Sequence, residues 1–411
     1  MNLRELKQKP MMELAALAKS EGVEGARKVD LVLALLKAFA AKGQPISADG
    51  VFDAAAEGFG FLRAEETAFL PAPDDVYVPP SQVRKLGLRA GDVVSGAIRP
   101  PKEREAYFSL VRAESVNGAP PDGAERPRFD DFAPRYPDVA FKLEHGATTL
   151  STRILDLLCP IGKGQRCLVV SPPRAGKSVL LREIAGAIAA NHPEAHVSVV
   201  LVDERPEAVT EMRRGFPGEV LASMFDEAPA RHVQLAELAL ERAKRLVELG
   251  NDAVVLLDSI TRLTRAYNAL SPHGGRGTAG VVDPGALQKG KRYLGAARAV
   301  EGGGSLTLIT TALVDTGSRM DDVIFDDVKG AGNSEIHLDR RLMERRVFPS
   351  FDLNKTATRK EEALLPERVL LRARLLRSLL QPLSAVESME FLLEKLAGTA
   401  DNDDFLARMN S

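Results

Sequence analysis

The chain has 411 residues, 45% of them hydrophobic, which gives room for two or three domains and a sizeable buried core. Its 55 Lys and Arg against 57 Asp and Glu leave a formal charge of -2, which excludes a global basic field. Any nucleic-acid binding must then come from local patches or aromatic platforms. The two cysteines, Cys159 and Cys167, lie in apolar surroundings and argue against a disulfide scaffold and for a reducing compartment. The charged start reads as no signal peptide, and no apolar stretch has membrane-spanning length, so a cytoplasmic protein without a membrane partner is expected.

Residues 1–47 read as a small helical unit. Leu3, Leu6, Met11, Leu14 and Leu17 recur near helical spacing, and a second helix over 29–41 closes at Gly43. From 48 to 118, short β-type runs at 59–62, 76–78, 93–97 and 107–111 alternate with Gly, Pro, Asp and Asn turns, which predicts a small closed or partly closed barrel. Residues 119–149, rich in Pro, Gly, Asp and Glu at their start, read as a linker. From 150 to 411, β-like runs alternate with helical patterns, the mark of an α/β domain with a largely parallel sheet. Its core strands are expected at 167–170, 197–202, 253–257 and 306–311, with helices closing the chain.

The stretch Ser171-Pro172-Pro173-Arg174-Ala175-Gly176-Lys177-Ser178 follows the first of those strands and opens a helix over 179–190. Strand, tight loop and helix start form an anion cradle: backbone N–H groups and the helix dipole face phosphate, and Lys177 adds a point charge. The Ser178 hydroxyl can sit on Mg2+. A carboxylate, Asp258, ends the run Val254-Val255-Leu256-Leu257 and can hold the same ion. Another strand ends Val202-Asp203-Glu204-Arg205, and ligands bind outside the carboxyl ends of such strands. Glu204, preferred over Asp203, can orient and deprotonate the attacking water, and Arg205 can meet the γ-phosphate. Arg359, Arg346 and Phe348 are candidates for a charge supplied by a neighbouring subunit and for base stacking; pattern alone assigns none of them.

Two loops can touch a polymer. The first is Gly274-Gly275-Arg276-Gly277-Thr278, and the second, with Arg319, follows the fourth core strand. In the barrel, Gly58-Phe59-Gly60-Phe61-Leu62-Arg63 puts two rings on one strand face, with glycines leaving space beside them and Arg63 supplying a charge. Tyr77 and Tyr107 can extend this platform.

These residues are familiar together. Asp75-Val76-Tyr77, Ile98-Arg99-Pro100-Pro101-Lys102-Glu103, the double-proline phosphate loop, Asp203-Glu204-Arg205, Phe225-Asp226-Glu227, Gly295-Ala296-Ala297-Arg298, Thr358-Arg359-Lys360-Glu361-Glu362 and Asn402-Asp403-Asp404-Phe405 make the chain resemble the bacterial transcription termination factor Rho family over its whole length. The resemblance implies a RecA-like P-loop NTPase core preceded by a helical unit and an OB-type β-barrel. It implies a homohexameric ring that hydrolyses ATP with Mg2+ on pyrimidine-rich single-stranded RNA and translocates 5′ to 3′. It further implies unwinding of RNA–DNA hybrid and release of RNA from the RNA polymerase elongation complex, with a NusG-type elongation factor as a further partner.

Residue by residue, the resemblance carries the primary RNA site to Gly58, Phe59, Gly60, Phe61, Leu62, Arg63, Asp75, Val76, Tyr77, Glu105, Ala106 and Tyr107. It carries nucleotide binding to Gly162, Lys163, Gly164, Gln165, Arg166 and Cys167, and to Arg174, Ala175, Gly176, Lys177, Ser178 and Val179. Glu204 resembles the general base, Arg205 the γ-phosphate sensor, Arg359 the finger presented in trans, Arg346 an interface coupling residue and Phe348 the adenine-stacking ring. Arg276, Gly277, Thr278 and Arg319 fall in the pore loops. Many relatives carry Lys at Arg174, Arg276 and Arg319 and Thr at Ser178, and Ala106 replaces a basic residue of some. Two other functions share parts of the pattern. A rotary-type ATPase or ATP synthase subunit has the same core but no need of Phe59 and Phe61, and an RNA-binding protein can use ATP only to stabilise its assembly.

Overall fold

The computed structural model describes residues 1–121, 126–272 and 282–409. It divides into two compact units. The first holds residues 1–126 with 237–245, and the second holds 127–236 with 246–411.

In the first unit, Asn2 caps the helix Leu3–Gln8 by accepting the N–H groups of Arg4 and Glu5. Pro10 cannot continue that helix, so a second one, Met11–Glu21, starts afresh. This resets the phase of the leucine pattern: Leu3, Leu6 and Leu14 are buried, whereas Met11 faces outward. The helix Lys28–Ala41 buries Leu31, Val32, Leu35, Leu36 and Phe39, and Gly43 lies just beyond it at φ 74°. Five strands, β1 (Ser47–Ala54), β2 (Gly60–Arg63), β3 (Val76–Val78), β4 (Val93–Arg99) and β5 (Phe108–Val116), close into a barrel in the order β1-β2-β3-β5-β4. Burial alternates along β4, as a strand with one wet face requires. β1 lacks the clean alternation that marks the others in sequence. Helices and barrel, read above as separate segments, share one hydrophobic core through Leu6, Leu35, Leu36, Phe52, Val94 and Leu110.

The second unit is built on β6 (Pro134–Arg135), β7 (Arg166–Ser171), β8 (His196–Glu204), β9 (Glu219–Met224), β10 (Asp252–Asp258), β11 (Arg298–Val300), β12 (Ser305–Leu313), β13 (Ser334–His337) and β14 (Ala357–Thr358). The main order is β14-β13-β7-β12-β10-β8-β9, and β13 through β9 run parallel. The central strands are near-continuous apolar runs because both of their faces are covered. All four core strands expected from sequence are present as β7, β8, β10 and β12. The sheet thereby aims the carboxyl ends of β7, β12, β10 and β8 toward one edge, where the site forms. Among the described residues no helix is long and apolar enough to cross a membrane.

Residues 119–149 are packed in their later part. Phe129, Phe141 and Leu143 are buried, and β6 pairs with β11. Asn191 donates to the Lys142 and Glu144 carbonyls, while the Asp156 carboxylate accepts the N–H groups of Leu143 (3.0 Å) and Glu144 (2.7 Å). Burial pushes the Asp156 carboxyl up to about 7, against those two donors. The folded chain therefore holds this proton more tightly than the unfolded chain, whose carboxyl titrates near about 3.9. The stability it contributes is greatest at low pH and falls as pH rises from about 4 to about 7. Asp156→Asn is expected to gain on the parent chain across that window, by up to about 4 kcal/mol. Urea unfolding of both proteins near the two ends of the window measures this, and a difference that does not change with pH overturns it.

Candidate functional site

β7 runs into the phosphate loop, and that loop ends at Gly176, which caps the helix Lys177–Asn191 in the left-handed region at φ 92° and ψ 12°. Arg174 is also left-handed, at φ 63°, a strained setting for a side chain. The helix receives no side-chain cap, so its first N–H groups face outward as free donors. Nothing stands within 4 Å of where a Gly176 side chain would begin, which leaves the loop mouth open. Ser178 and Arg174 are exposed there.

The Lys177 ammonium points across the sheet's carboxyl end. It pairs with Asp258, from the end of β10, and lies 3.3 Å from Glu204 Oε1, from the end of β8. Asp258 is only 1% exposed, and Thr311 on β12 donates to its Oδ1 at 2.7 Å. Glu204 meets the Arg262 guanidinium at 2.7 Å, and Arg262 also donates to the Asp203 carbonyl at 2.5 Å. Asp203 sits at φ 56°, at an irregular stretch of the β8–β9 pairing that turns Glu204 toward Lys177. Two acids and two bases thus form a neutral, largely buried quartet. Arg262 went unread in the sequence, although one helical turn beyond Asp258 is where a side chain can reach back over the strand ends. Arg205 is exposed beside Glu204, and its guanidinium has no partner among the described residues.

Beside the loop lies a cavity of about 350 Å3 whose lining includes Ala175, Gly176, Val179 and Phe348. Sequence reasoning brought these four together, and the structure does so too. Phe348 is half exposed, and the preceding Arg346 is left-handed at φ 61°. Ser151, Glu183 and the backbone turn at Thr148 and Thr149 also line the cavity and were not foreseen.

Residues 162–167 are not part of this site within one chain. They precede or begin β7, so the strand's length, about 16 Å, separates them from Lys177. Lys163 pairs with Asp252, Gly164 N–H donates to Thr307, Gln165 binds Asn333, the Arg166 guanidinium donates to two carbonyls, and Cys167 is buried. Arg359 stands at that same amino end: its N–H donates to the Asn333 carbonyl, and the Asn333 side chain accepts from Arg166 N–H. It is exposed and beyond reach of its own Lys177. Arg319 begins the helix that follows β12, at the Lys177 end of the sheet. Its loop is pinned by Asp321, which accepts from Arg265 at 2.7 and 2.6 Å and from Thr316 at 2.6 Å. Arg276, Gly277 and Thr278 lie outside the described residues.

On the barrel, the rings of Phe59, Phe61, Tyr77 and Tyr107 form a contiguous cluster with centroids 5.1–5.9 Å apart. None of the four is in the core. Leu62 and Val76 alternate inward and are buried, so they support the platform from behind. Gly60 is required on the inner side: a side chain there would begin 2.3 Å from the Phe52 ring. Arg63 is no free charge either, being buried between Asp53 and Asp75 with its guanidinium 4.8 Å from the Phe61 ring. Burial raises the Asp75 pKa, and the Ala72 N–H and Arg63 oppose it. Glu105 is held to about 2 chiefly by Arg99, and Gly58 and Ala106 are exposed at the platform's rim.

Three family descriptions match the chain: the Rho termination factor N-terminal domain at residues 5–44, its RNA-binding domain at 48–122, and the ATP synthase alpha/beta family nucleotide-binding domain at 151–358. Transcription termination factor Rho of Pseudomonas fluorescens biotype C is 51% identical over 416 residues, covering 100% of this chain and 99% of that protein. Its namesake in Escherichia coli K12 is 50% identical at the same coverage. The chain belongs to the transcription termination factor Rho family. Among solved structures, an ATPase of the type III secretion system of pathogenic bacteria aligns with a TM-score of 0.57 at 20% identity, covering 73% of this chain and 94% of that one. That likeness shows the P-loop fold alone. Binding of nucleotide and of RNA follows from the matched domains. Phe61→Ala is expected to weaken RNA binding by the barrel about 5- to 100-fold, the worth of one stacked base, with ATP binding kept. Fluorescence titration with a short polypyrimidine RNA measures it, and undiminished affinity counts against the platform.

Proposed function

We propose that this chain is an RNA-dependent ATPase that terminates transcription as a homohexameric ring. In this reading it translocates 5′ to 3′ on pyrimidine-rich single-stranded RNA, unwinds RNA–DNA hybrid and releases the transcript from the RNA polymerase elongation complex. The observation that carries the reading is the polarity of the sheet, with Lys177, Asp258 and Glu204 at its carboxyl edge and Arg359 at its amino edge. A site that needs both edges is completed by a second copy, and repeated head-to-tail contact closes into a ring. Relatives named transcription termination factor Rho along the whole chain support the termination role, which sets it in the cytoplasm. Recruitment by a NusG-type elongation factor rests on the family resemblance.

The triphosphate settles on the free N–H groups of the helix start, with the base in the cavity against Phe348. Lys177 then turns from its carboxylates to the phosphate oxygens. The donor set fits magnesium: a buried carboxylate and an exposed hydroxyl suit an ion shared with substrate phosphates. Ser178 and Asp258 would hold Mg2+, which neutralises phosphate charge when bound. Glu204, relieved of Lys177 but still oriented by Arg262, takes the proton of the attacking water. Arg205 meets the γ-phosphate from the same subunit, and Arg359 arrives from the neighbour, where the exposed Arg346 couples the two. Arg319 and Arg276, with Gly277 and Thr278, contact RNA in the pore.

Glu204→Gln is expected to bind ATP normally and lose at least about 100-fold in kcat, and Arg359→Ala to lose about 1,000-fold. Mixing the two inactive proteins should restore turnover, because a seam between them can pair an intact Glu204 with an intact Arg359. Failure to recover once subunits are shown to exchange rejects the shared site. Polypyrimidine RNA should strongly stimulate hydrolysis by the unmodified protein, and equal rates with and without it reject RNA coupling.

A further inference from the structure

Glu183 sits three residues beyond Leu180 and four beyond Val179 on the helix Lys177–Asn191, and all three line the cavity beside the phosphate loop. Among the described residues lining that cavity, Glu183 is the only ionisable one; the rest offer apolar surface, hydroxyls or backbone. A carboxylate repels phosphate, so this part of the cavity suits the uncharged base. The buried Ser151 hydroxyl donates to Glu183 Oε2 at 2.5 Å, which fixes the side chain. Oε1 has no partner among the described residues. An ionised carboxylate only accepts hydrogen bonds, so what it selects is a donor.

We propose that Glu183 reads the exocyclic amine of the base, its free oxygen accepting an N–H from an amino group that Phe348 stacking brings to it. The inference rests on the reading that the cavity holds the base of the nucleotide. An amino-bearing base gains a charge-assisted hydrogen bond, a base lacking the group leaves the carboxylate unmatched, and a carbonyl in its place is repelled. The helix that begins under the phosphates therefore also sets base preference, one turn beyond Val179.

The test compares RNA-stimulated hydrolysis of ATP with that of purine riboside 5′-triphosphate, which differs only in lacking the 6-amino group. The unmodified protein is expected to favour ATP by about tenfold or more in kcat/KM, expressed in KM. Glu183→Ala should raise KM for ATP until it matches that of the deaminated analogue, and Glu183→Gln, a neutral acceptor, should keep part of the preference. A ratio near one in the unmodified protein overturns the proposal without any variant, as does a ratio that Glu183→Ala leaves unchanged. Phe348→Ala separates the two readings. Raised KM for both substrates keeps the base in the cavity whatever Glu183 does, and no change for either removes the base from it.

Discussion

The ATPase unit is organised around one electrostatic constraint: two carboxylates, Asp258 and Glu204, gathered at the carboxyl ends of neighbouring parallel strands. Their mutual repulsion in a poorly solvated place requires compensation, which Lys177 and Arg262 supply. Lys177 belongs to the phosphate loop, so the group that neutralises the two carboxylates is the one a triphosphate would compete for. In the proposed reaction Lys177 would pass to the phosphate, leaving Asp258 to a metal and Glu204 to a proton while Arg262 keeps Glu204 aimed. The contacts that stabilise the site would then be the ones exchanged in the reaction.

The same helix that carries Arg262 carries Arg265, one face-turn on, and Arg265 holds Asp321 behind the Arg319 loop. A shift at Glu204 therefore has a rigid element through which to reach a surface loop. The opposite edge of the sheet is a separate matter. Strand polarity keeps Arg359 and residues 162–167 away from Lys177, so any role they have in the reaction belongs to a seam between copies. Burial lowers the basicity of Arg166, and the nearby Arg298 and Arg359 add to that lowering, so three cations stand close together at that edge. Such a cluster is unfavourable by itself and complementary to a polyphosphate.

Much of this was legible because chemistry and periodicity coincided. The four central strands are short apolar runs ended by Ser171, Glu204, Asp258 and a loop, so strand ends and site residues were read together. The aromatic platform was legible for the same reason, since Phe59 and Phe61 stand two apart. What escaped depends on contacts distant in sequence. Arg262 and Glu183 look like ordinary helical charges until β8 and Ser151 are folded against them. The Arg63 charge was misread because Asp75, one of its partners, comes from the turn that leads into another strand, β3. Residues 162–167 were assigned to nucleotide binding through the family resemblance, and strand direction sets them apart from the phosphate loop within one chain. β1, β9 and β13 lack clear alternation, and the packing of 127–149 shows that Pro and Gly content alone does not make a linker.

The two ligand surfaces bind by different physics, and the difference suits their tasks. At the barrel, Arg63 is neutralised by Asp53 and Asp75, and the exposed surface is rings. Stacking there is tolerant of sequence and releases few counterions, so it can retain a strand without gripping its phosphates. The Arg63 pairs fix the strands behind Phe61 and leave the ring face to the base. At the sheet edge, by contrast, charge is concentrated, buried and exchangeable, as hydrolysis demands. On the proposed reading a protein of near-zero net charge would hold one polyanion by its bases and cleave another at its phosphates, and neither surface would require a basic field over the whole molecule.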